Sequence, residues 1–229
     1  MSSAAPPTPT TATAATGDVA LTVFSDAEAR AVEALADQII PGDADNPGAT
    51  RAGVVYYIDR AVAGFSTDLY RAYRLGLREL DVLCRGRHGS PFADLDTDDQ
   101  HAIITEFLGE PVGDPASGLM FSQDDQSQGD SSAPDPGVEG RLIHRLLQIV
   151  REHTVEGFFC DPVYGGNRDL VGWRLVGFPG AQWGYTAEQM AGGFDATTIP
   201  IATLSDLRSQ LRTLPPNETY TRGGQETVR

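Results

Sequence analysis

The chain has no lysine: all seventeen basic residues among its 229 are arginine. The absence reads as a lineage bias in codon use, and it leaves no P-loop G-K-[ST] for phosphate. Cysteine is nearly absent too. Cys84 and Cys160 stand 76 residues apart in no metal-type spacing, so no disulfide framework exists. They read as two independent thiols, with a disulfide to each other or to a partner as the alternatives. No run of about 18 apolar residues occurs, which excludes a membrane-spanning helix. Positive charge is scarce: the formal net charge is −15, and residues 94–139 hold twelve acidic residues and no basic one. Nucleic acid and anionic membranes would be repelled, so neither is expected as a partner. The first twenty residues, rich in Ala, Thr and Pro, lack a basic n-region, a twin arginine and an apolar h-region. They are expected to be a disordered tail, and the chain as it stands carries no export signal, which would place it in the cytoplasm.

What is present suits one mainly α domain. Hydrophobic residues make up 40% of the chain, enough for a sizeable core. Ser25-Asp26-Ala27-Glu28 forms a capping box ahead of Val32, Leu35, Ala36 and Ile39 at helical spacing. Pro41-Gly42 ends that helix. A second helix is expected over roughly 51–62 and a third over about 67–85. The third buries Leu69, Tyr73, Leu77, Leu80 and Cys84 and carries Arg71, Arg74, Arg78 and Arg85 on another face. Thr97-Asp98-Asp99-Gln100 predicts a capping box for a fourth. Residues 110–137 read as a long acidic, flexible loop. The sequence VEGRLIHRLLQIVREHTVEG predicts the longest helix, ended by Gly157. Thr186-Ala187-Glu188-Gln189 and 203–211 are short helical turns. The expected organisation is a tail over 1–20, a helical domain over 21–212 and a loose tail over 213–229.

Candidate chemistry is sparse. His144 and His153 are nine residues apart, half a turn out of phase at about 100° per residue, and cannot share an ion on a straight helix. His153 and Glu156 share a face, and Cys160 follows. The trio is the strongest metal or redox candidate, but it lacks H-E-x-x-H or C-x-x-C support. No G-x-S-x-G elbow and no G-x-G-x-x-G between strand and helix occurs. No catalytic, cofactor-binding or metal residue is therefore expected in this chain.

The run DPVYGGNRDLVGWRLVGFPG, residues 161–180, is neither a clean helix nor a clean strand. Its glycines allow close backbone approach, and Pro162 and Pro179 stiffen it. Trp173 and Phe178, with Trp183 just beyond, add large apolar area of the kind that anchors protein interfaces. The same aromatics could equally pack on the chain's own helices.

These motifs resemble a known family. The order ADQIIPGD, DNPGATRAGVVYYIDR, HTVEGFFCDPVYGGN and GWRLVGFPG is similar to the gluconate 2-dehydrogenase subunit 3 family, over roughly 24–109 and 138–185. The resemblance implies a small, non-catalytic subunit with no cofactor of its own. It would pair with a large flavoprotein of the glucose–methanol–choline type that holds FAD and oxidises a sugar, sugar acid, polyol or glycoside. Some complexes of the family add a cytochrome c as electron acceptor. Many members carry a twin-arginine signal and escort the large subunit to the periplasm. That makes a dedicated assembly or export chaperone the first alternative reading. A stand-alone metal or redox enzyme using His153, Glu156 and Cys160 is the second. The family's signature segment supplies the expected partner interface: Phe158, Phe159, Cys160, Asp161, Pro162, Tyr164, Gly165, Gly166, Asn167, Trp173, Phe178, Pro179 and Gly180. In an oxidising compartment Cys160 could bond covalently to the large subunit.

Overall fold

A computed structural model describes residues 20–109 and 137–213. The expectations for the N-terminal tail, the acidic loop and the last residues therefore lie almost wholly outside the described part. The described chain is mainly helical and contains no strand, as the sequence leads one to expect.

Helix α1 spans Asp26–Ile39. Its capping box is formed: Ser25 Oγ accepts from the Glu28 amide, and the Glu28 carboxylate accepts from the Ser25 amide at 2.9 Å. Ala29, Val32, Leu35 and Ala36 are buried along one stripe. The residue before Pro41 cannot hold helical backbone comfortably, and the helix stops there. The expected second helix is two. Helix α2 (Ala49–Ala52) and helix α3 (Val54–Ala63) are separated by Gly53, whose φ of 68° no continuous helix allows. Buried Asp59 of α3 accepts from the backbone N–H groups of Thr22, Val23 and Phe24 at 2.6, 2.9 and 3.0 Å, tying the entering chain to the bundle.

Helix α4 (Tyr70–His88) follows a 3-10 turn and buries Tyr73, Leu77, Leu80 and Cys84. Helix α5 (Thr97–Leu108) is capped one residue earlier than expected, by Asp96 in place of Thr97. Asp96 accepts from the Asp99 amide, and the Gln100 side chain turns away to the carbonyls of Phe92 and Leu95. Helix α6 (Gly137–Phe159) lies at the centre against α1, α3, α4 and α5. A helix ringed by others must be apolar on a broad face, and Ile143, Leu146, Leu147, Ile149, Val150 and Phe158 are all buried. Gly157 does not end it. A Cβ there would lie 2.8 Å from the Tyr57 ring, so this glycine lets α3 approach, and the helix runs two residues further.

His144 and His153 do point apart. His144 Nδ1 pairs with the Phe107 carbonyl on the α5 side at 2.6 Å, whereas His153 Nδ1 pairs with the Tyr73 hydroxyl of α4 at 2.9 Å. The expected turns at 186–189 and 203–211 both exist. The first closes with reciprocal Thr186–Gln189 bonds, and the second is helix α8 (Leu204–Thr213).

Candidate functional site

A helix ends with carbonyls that have no partner in their own turn. The segment after α6 folds back to satisfy them. The Asn167 amide donates to Gly157 O at 2.9 Å. The Asn167 side-chain NH₂ donates to Cys160 O at 2.8 Å, and the Trp173 indole N–H donates to Phe159 O at 2.7 Å. The Asn167 side-chain oxygen accepts from the Gly172 amide at 2.8 Å, near the start of the short helix α7 (Val171–Val176). One buried side chain thus joins the end of α6 to the beginning of α7. The approach is so close that only glycine fits at two positions. A Cβ on Gly166 would lie 2.1 Å from Gly157 O, and one on Gly172 would lie 2.1 Å from Phe158 O.

Asp161 extends the same frame. Its carboxylate accepts from the Val163 amide at 3.0 Å and from the Leu204 amide at 2.8 Å, capping a 3-10 turn and the first turn of α8. Beyond α7, Ala181 donates to Ala202 O and Ala202 to Pro179 O, which closes the C-terminal excursion onto the segment.

The expected interface residues divide in three. Phe158, Asp161, Gly166, Asn167, Trp173, Pro179 and Gly180 are buried in the chain itself and build the segment. Cys160, Pro162 and Gly165 are half-buried. Phe159, Tyr164 and Phe178 are exposed, by 37%, 50% and 44%. The Trp173 ring supports Phe178 edge-on at 5.2 Å between centroids, as Phe158 supports Phe159 at 5.0 Å. Val155, Val163, Leu175 and Val176 are exposed beside them and escape the motif reading. A cavity of about 180 Å³ opens next to Phe178, bordered by Arg174, Pro179, Ile199 and Ile201.

The trio of His153, Glu156 and Cys160 does not converge. His153 is buried, stacked on Tyr73 and bonded to its hydroxyl. Glu156 accepts from the Tyr57 hydroxyl at 2.8 Å. The Cys160 thiol donates to Gly157 O, and burial pushes its pKa up to about 11, which disfavours the thiolate that metals and nucleophilic chemistry need. Burial likewise pushes His153 below its ordinary value, against the pull of Glu156, Glu152 and Asp68. Among the described residues no group of three or more His, Cys, Asp or Glu side chains is placed to hold a metal ion. Both cysteines are free thiols. No described helix is long and apolar enough to cross a membrane.

Fold and segment together define a class: a helical domain whose motif residues build a braced surface after its central helix. The family model described as gluconate 2-dehydrogenase subunit 3 matches residues 26–180, well over half of the chain, and the chain belongs to that family. No match is found among curated proteins or among solved structures.

Proposed function

We propose that this chain is the non-catalytic small subunit of an oxidoreductase complex. Its partner is a large flavoprotein of the glucose–methanol–choline type, which holds FAD and oxidises a sugar, sugar acid, polyol or glycoside. The small subunit binds and stabilises that flavoprotein through the segment after α6. The family name, that of a subunit, supports the reading. So does one observation that carries it: of fifteen exposed large apolar side chains among the described residues, eleven lie between Val155 and Leu211. Six of these, Phe159, Val163, Tyr164, Leu175, Val176 and Phe178, lie on the hydrogen-bonded frame of 157–180, and apolar groups held there suit a protein partner, because little ordering entropy is left to lose on docking.

Co-expression with a flavoprotein encoded beside it, followed by size exclusion, tests the proposal. A stable complex with bound flavin is the expected result. Flavin turnover should scale with assembled complex, and turnover per bound flavin should be indifferent to substitutions in 157–180. A substitution there that left assembly intact and abolished turnover per flavin would defeat the non-catalytic reading. A flavoprotein that separates fully active from the small subunit after folding would favour the chaperone reading.

A further inference from the structure

A stretch of chain keeps one shape by burying side chains or by bonding its backbone to something that does. Helices α1 to α7 each bury side chains, whereas α8 buries none. Nor is any other residue from 181 to 213 buried. Polar contacts with the preceding segment hold this excursion down. The Ala202 amide donates to Pro179 O at 3.1 Å, and the Leu204 amide donates to the Asp161 carboxylate at 2.8 Å. The Gln182 side-chain NH₂ donates to Pro179 O at 2.9 Å and to Pro200 O at 3.1 Å, pinning both sides of the crossing.

The excursion crosses the last residues of the motif. Gly180 and Ala202 pair as an isolated parallel bridge, and a Cβ on Gly180 would lie 2.2 Å from Ala202 O. A Cβ on Gly177 would lie 3.0 Å from the Thr197 methyl group. Pro179 and Gly180 are buried at this crossing. Packing across it is incomplete. The cavity of about 180 Å³ has Arg174, Phe178 and Pro179 on one wall and Thr197, Ile199 and Ile201 on the other. Side chains that line a void lose contact partners, so the excursion is weakly held against Phe178. The family match ends at Gly180: the covering residues lie outside it, and the covered ones inside.

We infer that residues 181–213 form a strap that closes over the end of the docking segment in the free chain and opens to admit the flavoprotein. Opening separates Ile199 and Ile201 from Phe178 and uncovers Pro179 and Gly180, which extends the apolar face exposed at Leu175 and Val176. It also frees the Pro179 carbonyl, which accepts from both Ala202 and Gln182 while the strap is closed. A site that must first open binds with an affinity reduced by the fraction of chains that are open. Contacts that hold the strap down therefore oppose binding, the reverse of what contacts with a partner do. The inference rests on the subunit reading and adds a gating step to it.

The test uses the full chain and two variants, Gln182→Ala and Ile201→Ala. Both weaken the strap's hold and leave residues 157–180 unaltered. In the free wild-type chain the amides of Ala202 and Leu204 should exchange together, and faster than those of Asn167 and Gly172. Each variant should speed the first pair by about fivefold and leave the second pair unchanged. Each should also bind the flavoprotein about fivefold more tightly than wild type. In the wild-type complex the Ala202 and Leu204 amides should lose protection. Variants that bind no tighter than wild type, or strap amides that slow further in the complex, overturn the strap and leave the subunit reading standing. A wild-type chain that never binds the flavoprotein overturns both.

Discussion

In the bundle, Tyr73, Leu80, Phe92 and Leu146 are sealed from solvent. Beyond its central helix, Tyr164, Phe178 and Trp183 stand in the open. The two regions also spend their polar groups differently. Bundle arginines close surface ion pairs between helices, such as Arg74 with Glu28 and Arg87 with Glu106 at 2.5 Å. The C-terminal segment uses Asn167, Trp173 and Asp161 to bond its own backbone, and leaves apolar rings outside. The bundle is held by burial. The segment is held by hydrogen bonds to a helix end, and so can keep its shape without covering its apolar face. That difference is what a docking surface requires: rigidity that does not consume the surface.

Trp173 and Phe178 touch each other and fall on opposite sides of this divide, so they give the sharpest contrast. Trp173→Ala removes a nearly buried ring and the donor to Phe159 O, and should cost about 3–5 kcal/mol of fold stability. Partner binding would fall only as a consequence. Phe178→Ala should leave the melting temperature of the free chain almost unchanged and cost about 2 kcal/mol in binding, roughly thirtyfold in affinity. Thermal unfolding together with co-purification yield separates the two. Equal losses of stability in both variants would erase the distinction.

Asn167→Ala should come next. It strips a donor from Cys160 O and an acceptor from the Gly172 amide, and puts a poor residue at positive φ. A loss of about 2–4 kcal/mol in urea unfolding is expected from the two buried groups left unpaired. If Asn167→Ala unfolds like wild type, the segment is braced by something other than this side chain.

A smaller effect should appear in the bundle with pH. His153 ordinarily titrates near 6.5, and burial lowers that value in the fold. The native state therefore favours the neutral ring. The stability it contributes is complete above the unfolded value and drains away as pH falls through 6.5 toward the lowered one. Between about pH 7 and about pH 5.5 the urea midpoint of the wild type should fall more steeply than that of His153→Gln. Parallel slopes would mean that His153 is not desolvated. Smallest of all, Arg85→Ala breaks an exposed pair with Asp81 and should cost about 0.5 kcal/mol or less, measured as the same midpoint.

The bundle was legible because its signals are local. Capping at Ser25, the 3.6-residue stripes through Val32 and Tyr73, and the opposed phases of His144 and His153 depend only on neighbours in the chain. The break at Gly53 and the passage of α6 through Gly157 were not legible. A glycine that starts a turn and a glycine that admits a neighbouring ring look alike until the neighbour is known. The segment was recognisable as a motif, but its roles were not assignable residue by residue. Asn167 meets the end of one helix and the beginning of another, contacts that no spacing rule predicts. Tyr56 escaped notice for the same reason: its ring matters to the segment only once Arg168 folds onto it.

Amide hydrogen exchange of the chain, free and in its flavoprotein complex, tests the central claim most directly. The account predicts that the amides of Asn167 and Gly172 are already slow in the free chain, because both are bonded inside the segment. It predicts that complex formation adds protection within 155–180, and little on α4 and α5. Fast exchange across 161–180 in the free chain, or new protection confined to α4 and α5, would contradict it.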